Sequence, residues 1–377
     1  MKIFAVLLSL FLLTGCSEAG LSSGGDAGEK TQFYFPSEDK GHEGTWLNWP
    51  HHYTYGLEYR QELEPIWIQM ADSLHEGENI HIIAYNEKEQ ERIASLLREA
   101  GLNMDKVDFT IAKTDDVWSR DTGPMFVMNA EGKAFIADFA FDGWGGKTPC
   151  KHDDAVPQAV ATAKNFPILS IPDFVLEGGS VELDGSGTAM ICKSSVVSKN
   201  RNSGKSIAEA EAYLMKYLGA ANFIWLEGVL DEDITDAHID GIARFYDDKT
   251  LLTVSEDDFL QLYEGIQVRD YKTLLTAVNV KGEPYKVLEL PMTAKNVEGL
   301  DYKGSYLNYY VGNKVVLLPV YADENDTIAV DILSRLYQNK EIIPINVTPL
   351  YQYGGMLHCV TQQQPQTVQE ENTPKGP

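Results

Sequence analysis

A hairpin plan that occurs four times constrains the fold of this 377-residue chain more than any other feature. In each copy, a polar segment beside glycine leads into a strand, a tight turn and a second strand. The turns contain glycine, asparagine or aspartate, which hairpin geometry favours, and they fall at 129–133, 184–187, 246–249 and 311–314. The chain is therefore expected to contain a series of similar hairpins.

Helical patterns and further apolar strands follow these hairpins. The sequence predicts helices at 206–218 and 326–338, each followed by a strand, at 223–226 and 342–345. An earlier helix at 61–74 precedes a strand at 80–84. Repetition of one unit at this spacing favours a ring of ββαβ units over a single open sheet. An ordinary mixed α/β fold with several hairpins is the alternative.

Side chains that can act as nucleophiles, acids or bases lie beside glycine at the starts of these hairpins. Asp121 and Glu177 precede the first two, and His238 and Asp240 precede the third. His238 and Asp240 are two residues apart, so on a strand they would share a face. Cys359 lies in a glycine-flanked apolar segment that also predicts a strand. If the hairpin starts meet at a common centre, these groups form a nucleophilic site that holds a cation; individually, the acids are also compatible with turn capping.

The two ends of the chain differ in composition from the middle. Lys2, an apolar stretch and small residues before Cys16 predict that 1–15 is a bacterial lipoprotein signal peptide and that Cys16 is lipidated. An ordinary secretory signal is the alternative. Residues 16–31 predict a flexible tether, 32–364 the catalytic domain and 365–377 a disordered tail. The expected location is the bacterial cell envelope, where an exported protein is attached to the membrane by its lipid alone.

Charge and cysteine content narrow the classes of partner. The formal net charge of −25 argues against nucleic acid, which needs a basic surface, and suits a cationic small molecule. Apart from Cys16, three cysteines remain, too few for a disulfide framework. A Cys150–Cys192 bridge is left open, and at least one thiol is then free. A homo-oligomer is compatible with the sequence, which does not fix the oligomeric state.

Five segments between Gly41 and about Gln364 read, in order, GHEGTWLNWP, DDVWSRDTGPMFV, LEGGSVELDGSGT, TDAHIDGIARF and GGMLHCVTQQQP. They resemble the signature blocks of agmatine deiminases, members of the peptidyl-arginine deiminase/agmatine deiminase family in the guanidine-modifying superfamily. The resemblance implies a five-bladed, pseudo-symmetric α/β propeller of ββαβ modules, the pentein-like fold. The site residues that it implies are the nucleophile Cys359, the acid/base His238, the guanidinium-site carboxylates Asp121, Glu177 and Asp240, and Trp118 flanking the substrate.

The activity implied by the resemblance is hydrolysis of agmatine to N-carbamoylputrescine and ammonia through a covalent thiouronium on Cys359. The partner is a cationic guanidino molecule, and no metal or organic cofactor is required. A peptidyl-arginine deiminase is the alternative, favoured by export because protein substrates are available outside the cytoplasm. A substrate that bears a carboxylate would need an arginine clamp, for which Arg244 is the obvious candidate.

Two remote alternatives belong to other functional classes. A zinc hydrolase could use Cys359, His358, His238 and Asp240, but no Cys-x-x-Cys or His-Glu-x-x-His spacing supports it. A lipid-anchored polyamine-binding protein would use the same acids and would have no use for the thiol.

Overall fold

The computed structural model describes residues 33–367, which form a mixed α/β fold. The predicted signal peptide, the predicted lipidation site at Cys16 and the predicted tether lie outside the described residues, as does the tail from 368 onward. Among residues 33–367, no helix combines the length and the apolar character that crossing a membrane requires.

Five sheets share one strand plan, in which an antiparallel pair is extended by a parallel third strand. Two of the sheets carry one additional strand, and a separate antiparallel ribbon completes the set. Sheet by sheet, the strands are β19 (Gln362–Pro365), β2 (His42–Asn48), β3 (Asn79–Ala84) and β4 (Val107–Ile111); β1 (Phe33–Tyr34), β5 (Met125–Asn129), β6 (Ala134–Ala140) and β7 (Ile168–Val175); β8 (Val181–Leu183), β9 (Thr188–Cys192) and β10 (Asn222–Leu226); β11 (Arg244–Asp247), β12 (Thr250–Thr253) and β13 (Lys286–Glu289); β16 (Tyr310–Val311), β17 (Val315–Val320) and β18 (Glu341–Asn346); and the ribbon β14 (Met292–Asn296) and β15 (Lys303–Ser305).

A helix connects the second and third strands of each of the five sheets. These connecting helices are α1 (Gly56–Leu74), α5 (Val156–Lys164), α7 (Ile207–Leu218), α9 (Val268–Leu275) and α10 (Asp326–Leu336). The remaining helices are α2 (Glu87–Glu99) and the single turns α3 (Ser119–Thr122), α4 (Gly143–Gly146), α6 (Lys193–Val196), α8 (Glu256–Phe259) and α11 (Thr348–Tyr351), and the 3₁₀ turns are Met104–Lys106, Gly178–Ser180 and Ile239–Gly241.

Helix α7 shows how local chemistry sets these bounds. At its start, the Ser206 hydroxyl accepts a hydrogen bond from the Glu209 amide, and the Glu209 carboxylate accepts one from the Ser206 amide. Leu214 and Leu218 are buried on one face. The helix ends at Gly219, whose φ of 75° suits glycine best. The predicted helix at 206–218 is therefore confirmed.

Burial falls from the first to the third strand in the sheets that contain β7, β13 and β18, whereas the third strand β3 is buried. The first strands β5, β8, β16 and β19 are almost entirely buried, and the second strands β9 and β17 are apolar runs buried on both faces. The third strands β7, β13 and β18 expose several side chains. The residues that precede the first strands therefore lie toward the interior of the protein.

All four predicted hairpins are present, with turns at the predicted positions. The domain end predicted at residue 364 falls within the last described strand. Strand β19 runs through Pro365, and the Gln366 amide donates a hydrogen bond to the Gly41 carbonyl over 2.9 Å. Backbone pairing with the segment around β2 holds these residues in place, so the ordered region extends beyond the predicted boundary.

Candidate active site

A polar side chain precedes the first strand of each antiparallel pair. These residues are Asp121 before β5, Glu177 before β8, Asp240 before β11, Asn308 before β16 and Cys359 before β19. Gly179 lies where several of them meet. A Cβ atom at Gly179 would lie 2.5 Å from His238 Nδ1, 3.1 Å from Asp240 Oδ2 and 3.2 Å from Asp121 Oδ1. Only glycine leaves room for this arrangement, because real Cβ contacts are longer.

The backbone at His238 and Asp240 differs from the sequence prediction. The two residues belong to a 3₁₀ turn capped by His238, and strand β11 begins only at Arg244. The expected strand with both side chains on one face is therefore wrong. The preceding residues Asp236 and Ala237 have φ values of 60° and 68°, which bend the chain into the turn. Both side chains nevertheless reach the centre, because the turn packs against Gly179.

Cys359 also lies in a turn rather than on the predicted strand. Residues 357–360 form the turn, and β19 begins at Gln362. The Asn308 side-chain oxygen accepts hydrogen bonds from the Cys359 amide over 3.3 Å and from the Cys359 thiol over 3.4 Å. The Arg120 amide donates to the Cys359 carbonyl over 3.0 Å. These contacts, and not a sheet, fix the position of the sulfur.

The thiol of Cys359 is partly exposed, and its Sγ lies 3.9 Å from Asp240 Oδ2. Burial and the negative charges of Asp240 and Asp121 raise the pKa of the thiol well above its usual value. The neutral thiol is therefore the resting form. Cys150 and Cys192 are free as well, so the bridge that the sequence left open is not formed.

His238 is buried between two of the candidate carboxylates. Its Nε2 lies 2.8 Å from Glu177 Oε2, and its Nδ1 lies 3.9 Å from Asp121 Oδ1. Burial alone would lower the pKa of His238, but Asp121, Glu177 and Asp240 outweigh it and raise the pKa to about 9. The ring is therefore protonated on both nitrogens and positively charged at neutral pH, and within residues 33–367 Nδ1 has no close hydrogen-bond partner.

Glu177 is held from behind by Arg201, a residue that the sequence prediction missed. Both side chains are fully buried, and Arg201 contacts Glu177 through Nε and Nη2. Its Nη1 lies 3.0 Å from Asp236 Oδ2. Burial raises the pKa of Glu177, against the opposing effects of His238 and Arg201. Arg201 lies in a polar loop between β9 and α7, with no neighbouring motif to mark it.

Asp121 is oriented by two donors. The Gly179 amide donates to Oδ1 over 2.9 Å, and the Trp144 indole donates to Oδ2 over 3.0 Å. Trp144 has a φ of 55° within α4, where Gly143 and Gly145 are also left-handed. A bulky residue in this region is strained, and such strain is typical of functional sites. The Gly-Trp-Gly-Gly sequence was the available signal for this turn.

A cavity of about 350 Å³ opens onto these groups. Its wall includes Cys359, His238 and Asp121, with Trp118 and Trp144 as aromatic surfaces. The other lining residues are Tyr55, Tyr59, Asp116, Thr148, Ile234, Thr235, Gln352, Tyr353, Gly354 and Gly355. The described lining contains no lysine or arginine. Trp118 packs tightly on Gly355, where a Cβ would lie 2.4 Å from the indole.

Arg244 does not line this cavity, so the arginine clamp considered for a carboxylate-bearing substrate is wrong. The side chain is buried and donates to the Leu307 and Tyr309 carbonyls over 3.2 and 2.6 Å. It also forms ion pairs with Glu38 and Glu182. These contacts occupy the guanidinium. Among residues 33–367, no group of three or more His, Cys, Asp or Glu side chains is arranged to hold a metal ion.

Comparison with known proteins places the chain in a family. Residues 34–365 match the Porphyromonas-type peptidyl-arginine deiminase family. The chain belongs to this family. A Legionella pneumophila (strain Paris) protein with the provisional name agmatine deiminase is 31% identical over 342 residues, which are 89% of this chain and 96% of that protein.

Solved structures support the same assignment. The agmatine deiminase of Enterococcus faecalis is 27% identical with a TM-score of 0.80, and the match covers 89% of this chain and 97% of that one. A variant agmatine deiminase of C. jejuni with bound substrate is 26% identical with a TM-score of 0.77, over the same shares of the two chains. The family that the five sequence blocks predicted is confirmed.

For this member of the peptidyl-arginine deiminase family, the sequence prediction missed three supporting residues. Asn308 occupies the turn before β16 and contacts Cys359, Arg201 holds Glu177, and Trp144 holds Asp121. The hairpin at 311–314 was recognised, and the equivalent position before its first strand was the signal that could have identified Asn308.

Proposed function

We propose that this protein is an agmatine deiminase, which hydrolyses the guanidinium group of agmatine to N-carbamoylputrescine and ammonia. The observation that carries the proposal is the meeting of Cys359, His238, Asp121 and Asp240 around Gly179 beside one cavity. A thiol, a protonated imidazole and ionised acids at this separation suit attack on a planar cation. Membership of a family of guanidino-group hydrolases agrees with it.

Substrate binding depends on carboxylates that remain charged. Burial opposes ionisation of Asp240, but hydrogen bonding and charge from His358, together with His238 and Arg244, keep its pKa below the usual value. Asp121 is oriented by its two donors. We expect these acids to grip the N–H edges of the guanidinium and to hold its carbon against Cys359, with Trp118 and Trp144 flanking the plane.

The bound cation also activates the nucleophile. In the resting site, burial and neighbouring acids keep Cys359 protonated. A guanidinium placed against Sγ supplies a positive charge, which lowers the cost of ionising the thiol, and the thiol proton passes to solvent through the open cavity. The thiolate then attacks the guanidinium carbon and forms a tetrahedral adduct. His238 donates a proton to one amino group, the C–N bond breaks, and ammonia leaves.

Hydrolysis of the resulting S-alkylthiouronium completes the reaction. Neutral His238 takes a proton from water, whose oxygen attacks the carbon. The C–S bond then breaks, the remaining hydroxyl proton returns to the Cys359 sulfur, and the neutral ureido product leaves. Glu177 and Arg201 keep the His238 ring in place during both proton transfers, because Glu177 bonds to each of them.

The cavity wall favours a substrate with a cationic tail. Asp116 accepts hydrogen bonds from the Tyr55 and Tyr59 hydroxyls over 2.8 and 2.9 Å, and all three residues line the cavity. The second cation of agmatine, its primary amine, is compatible with these oxygens. The carboxylate of arginine finds no cationic partner in the described lining.

A peptidyl-arginine deiminase remains the second candidate, because the family description itself carries this name. A kinetic comparison of agmatine with a peptide that ends in arginine, scored by ammonia release, separates the two. We expect kcat/KM to be higher for agmatine. Comparable or better activity on the peptide would replace agmatine as the substrate and leave the guanidinium chemistry in place.

The arrangement of the sheets belongs to the same proposal. We infer that the five sheets are the blades of a five-bladed propeller. Three observations support it: the common strand plan, the burial of the first strands, and the pairing of β19 with β2, which joins the end of the described chain to its beginning. Electron microscopy tests this inference: the density is expected to show five blades around one axis, and any other arrangement would contradict it.

The location of the protein is proposed from residues 1–31 alone. A lipid on Cys16 would hold the enzyme on a membrane of the cell envelope. Fractionation of the full chain tests this: the wild-type protein is expected with membranes, and Cys16→Ala in the soluble fraction. Equal distribution of the two proteins would contradict the anchor.

A further inference from the structure

A cluster of paired charges lies behind Asp240 and Cys359, and none of its four residues lines the cavity. It is formed by Glu38, Arg120, His358 and Arg244, of which only Glu38 shows more than slight exposure, at 12% of its side chain. Glu38 precedes β2, so it belongs to none of the five turns that supply the candidate site residues. The mechanism above assigns this cluster no step.

His358 is bonded to a carboxylate on each side. Its Nδ1 lies 2.7 Å from Asp240 Oδ2, and its Nε2 lies 2.8 Å from Glu38 Oε2. An ionised carboxylate only accepts hydrogen bonds, so both ring nitrogens donate. A histidine that donates from both nitrogens carries the positive charge. The oxygen that it holds, Asp240 Oδ2, is also the one 3.9 Å from Cys359 Sγ.

Glu38 connects His358 to three other turns. Its Oε2 lies 3.2 Å from Arg120 Nη2, and Arg120 directly precedes Asp121. Its Oε1 lies 3.2 Å from Arg244 Nη2 and accepts a hydrogen bond from the Val311 amide over 2.8 Å. One carboxylate therefore contacts residues next to the turns before β5, β11, β16 and β19. Burial opposes its charge, but His358, Arg244 and Arg120 hold the pKa of Glu38 far below the usual value.

We propose that Glu38 and His358 are a positioning pair, in which Glu38 fixes the His358 ring and His358 keeps Asp240 ionised with Oδ2 directed at the substrate site. The inference rests on the proposed function for what Asp240 binds. Neither member touches the cavity, so the pair acts through Asp240 and is not itself catalytic. Ionised Asp240 is needed to hold the guanidinium, and its charge is therefore set from the rear of the site.

The charged groups around the pair predict the direction of a pH effect. His358 faces Asp240 and Glu38, with Arg120 and Arg244 beyond them. Asp240 faces His358, His238 and the Cys359 thiol, with Arg244 nearby. Loss of the His358 charge would raise the pKa of Asp240, because His358 is the largest of the influences that lower it. The acidic limb of the kcat/KM profile would then move to higher pH.

The test compares three variants of the full chain on agmatine between pH 4 and 9. His358→Gln can still donate to Asp240 but carries no charge, and the acidic limb is expected to rise by at least about one pH unit. Glu38→Gln is expected to shift the limb in the same direction. Without the Glu38 carboxylate, His358 Nε2 loses the acceptor 2.8 Å away that holds the ring against Asp240.

Glu182→Gln is the matched control. Glu182 is a buried carboxylate paired with Arg244, but it has no hydrogen bond to His358. Removing its negative charge is expected to leave the acidic limb in place or to lower it. A uniform loss of activity without a shift in the His358 and Glu38 variants would overturn the proposal, as would an equal upward shift in Glu182→Gln.

A second readout needs no turnover. His358→Gln removes the ring that holds Asp240 Oδ2, the oxygen 3.9 Å from Cys359 Sγ, so alkylation of Cys359 by iodoacetamide at pH 8 is expected to be at least about threefold slower in this variant. Unchanged alkylation in a folded variant would overturn the proposal. If wild-type protein released no ammonia from any guanidine, the proposed function would fail, while the alkylation result would still decide whether the pair controls the charge around Cys359.

Discussion

The two histidines that flank Asp240 are both buried and both bonded to carboxylates, yet they differ in what remains free. His238 borders the cavity, and its Nδ1 lies 3.9 Å from the nearest carboxylate oxygen, too far for a good hydrogen bond. His358 lies away from the cavity, and both of its nitrogens are bonded within 2.8 Å. A ring with a free nitrogen can exchange a proton with a ligand, whereas a ring bonded on both sides supplies a fixed charge.

The same difference separates the front of the site from its rear. At the rear, Glu38, Arg120 and Arg244 satisfy one another in ion pairs. At the front, Asp121 lines a cavity whose described wall lacks any lysine or arginine, and Asp240 lies next to it, with Oδ2 3.9 Å from Cys359 Sγ. Paired charges behind the site therefore fix the turns, and incompletely paired acids in front attract a cation.

The largest effect is expected at the nucleophile. Cys359→Ser should reduce kcat by roughly 10⁴-fold or more, because a serine hydroxyl is a much weaker nucleophile in this setting. Ammonia release measures the loss, and circular dichroism confirms folding. Cys150→Ser, in a partly exposed thiol outside the described cavity wall, should retain most activity. If Cys150→Ser abolished turnover in a folded protein, the assignment of Cys359 as the nucleophile would be contradicted.

The carboxylates at the front come next. Asp121→Asn and Asp240→Asn should each lower kcat/KM by about 10²- to 10³-fold, the scale of losing a charge-assisted contact in a buried site. The loss should extend to every guanidinium substrate. Asp184→Asn is the control, because Asp184 is equally buried but accepts its hydrogen bonds from Ser186, Thr188 and Tyr285 in a hairpin turn. Activity on simple guanidines in Asp121→Asn equal to wild type would rule out the clamp.

The sequence predicts the hairpins because their turns are local. Asn129, Asp184 and Gly312 adopt or favour turn geometry through interactions within a few residues, so their positions are readable without the fold. The five sequence segments around the site could be recognised for another reason, because their residues resemble the signature blocks of a known family. Convergence of Asp121, Glu177 and Cys359 then followed from one assumption about hairpin starts.

The backbone at the site was not readable because it depends on long-range contacts. His238 and Cys359 look like strand residues, but Asp236 and Ala237 take left-handed φ values, and Asn308 holds the Cys359 turn from 51 residues away. The partners Arg201 and Glu38 lie in polar loops that resemble any solvated segment. Their roles arise only when charges from distant segments are buried together.

The positive charge of His238, held by neighbouring carboxylates, should make the free energy of unfolding depend on pH. The pKa of His238 is about 9 in the folded chain and about 6.5 when unfolded, so its ion pairs stabilise the fold fully below pH 6.5. That contribution is lost as the pH rises through 9. Urea unfolding at pH 6.5 and 9.5 should show a loss on the order of 2 kcal/mol in the wild type. His238→Gln should show a smaller loss, and equal losses would contradict the assigned charge.

The smallest effect concerns the tail of the substrate and tests the absence of a cation in the described cavity wall. Agmatine should have a kcat/KM at least about tenfold above that of free arginine, equivalent to about 1.4 kcal/mol. The physical reason is that the carboxylate of arginine meets Asp116 and no positive partner, because Arg244 is buried in contacts with Glu38, Glu182 and two carbonyls. Ammonia release with the two substrates at equal ionic strength measures the ratio.

Salt concentration sharpens this last comparison. If the acidic protein as a whole selects against arginine, 0.5 M salt should reduce the preference, because the Debye length falls to about 4 Å. If Asp116 and its tyrosines contact the amine inside the cavity, the preference should persist, since buried contacts are screened less. Asp116→Asn should then reduce it, with Asp173→Asn, outside the described cavity wall, as the control. If the wild type had the same kcat/KM for arginine as for agmatine, the cavity would not discriminate between the two substrate tails.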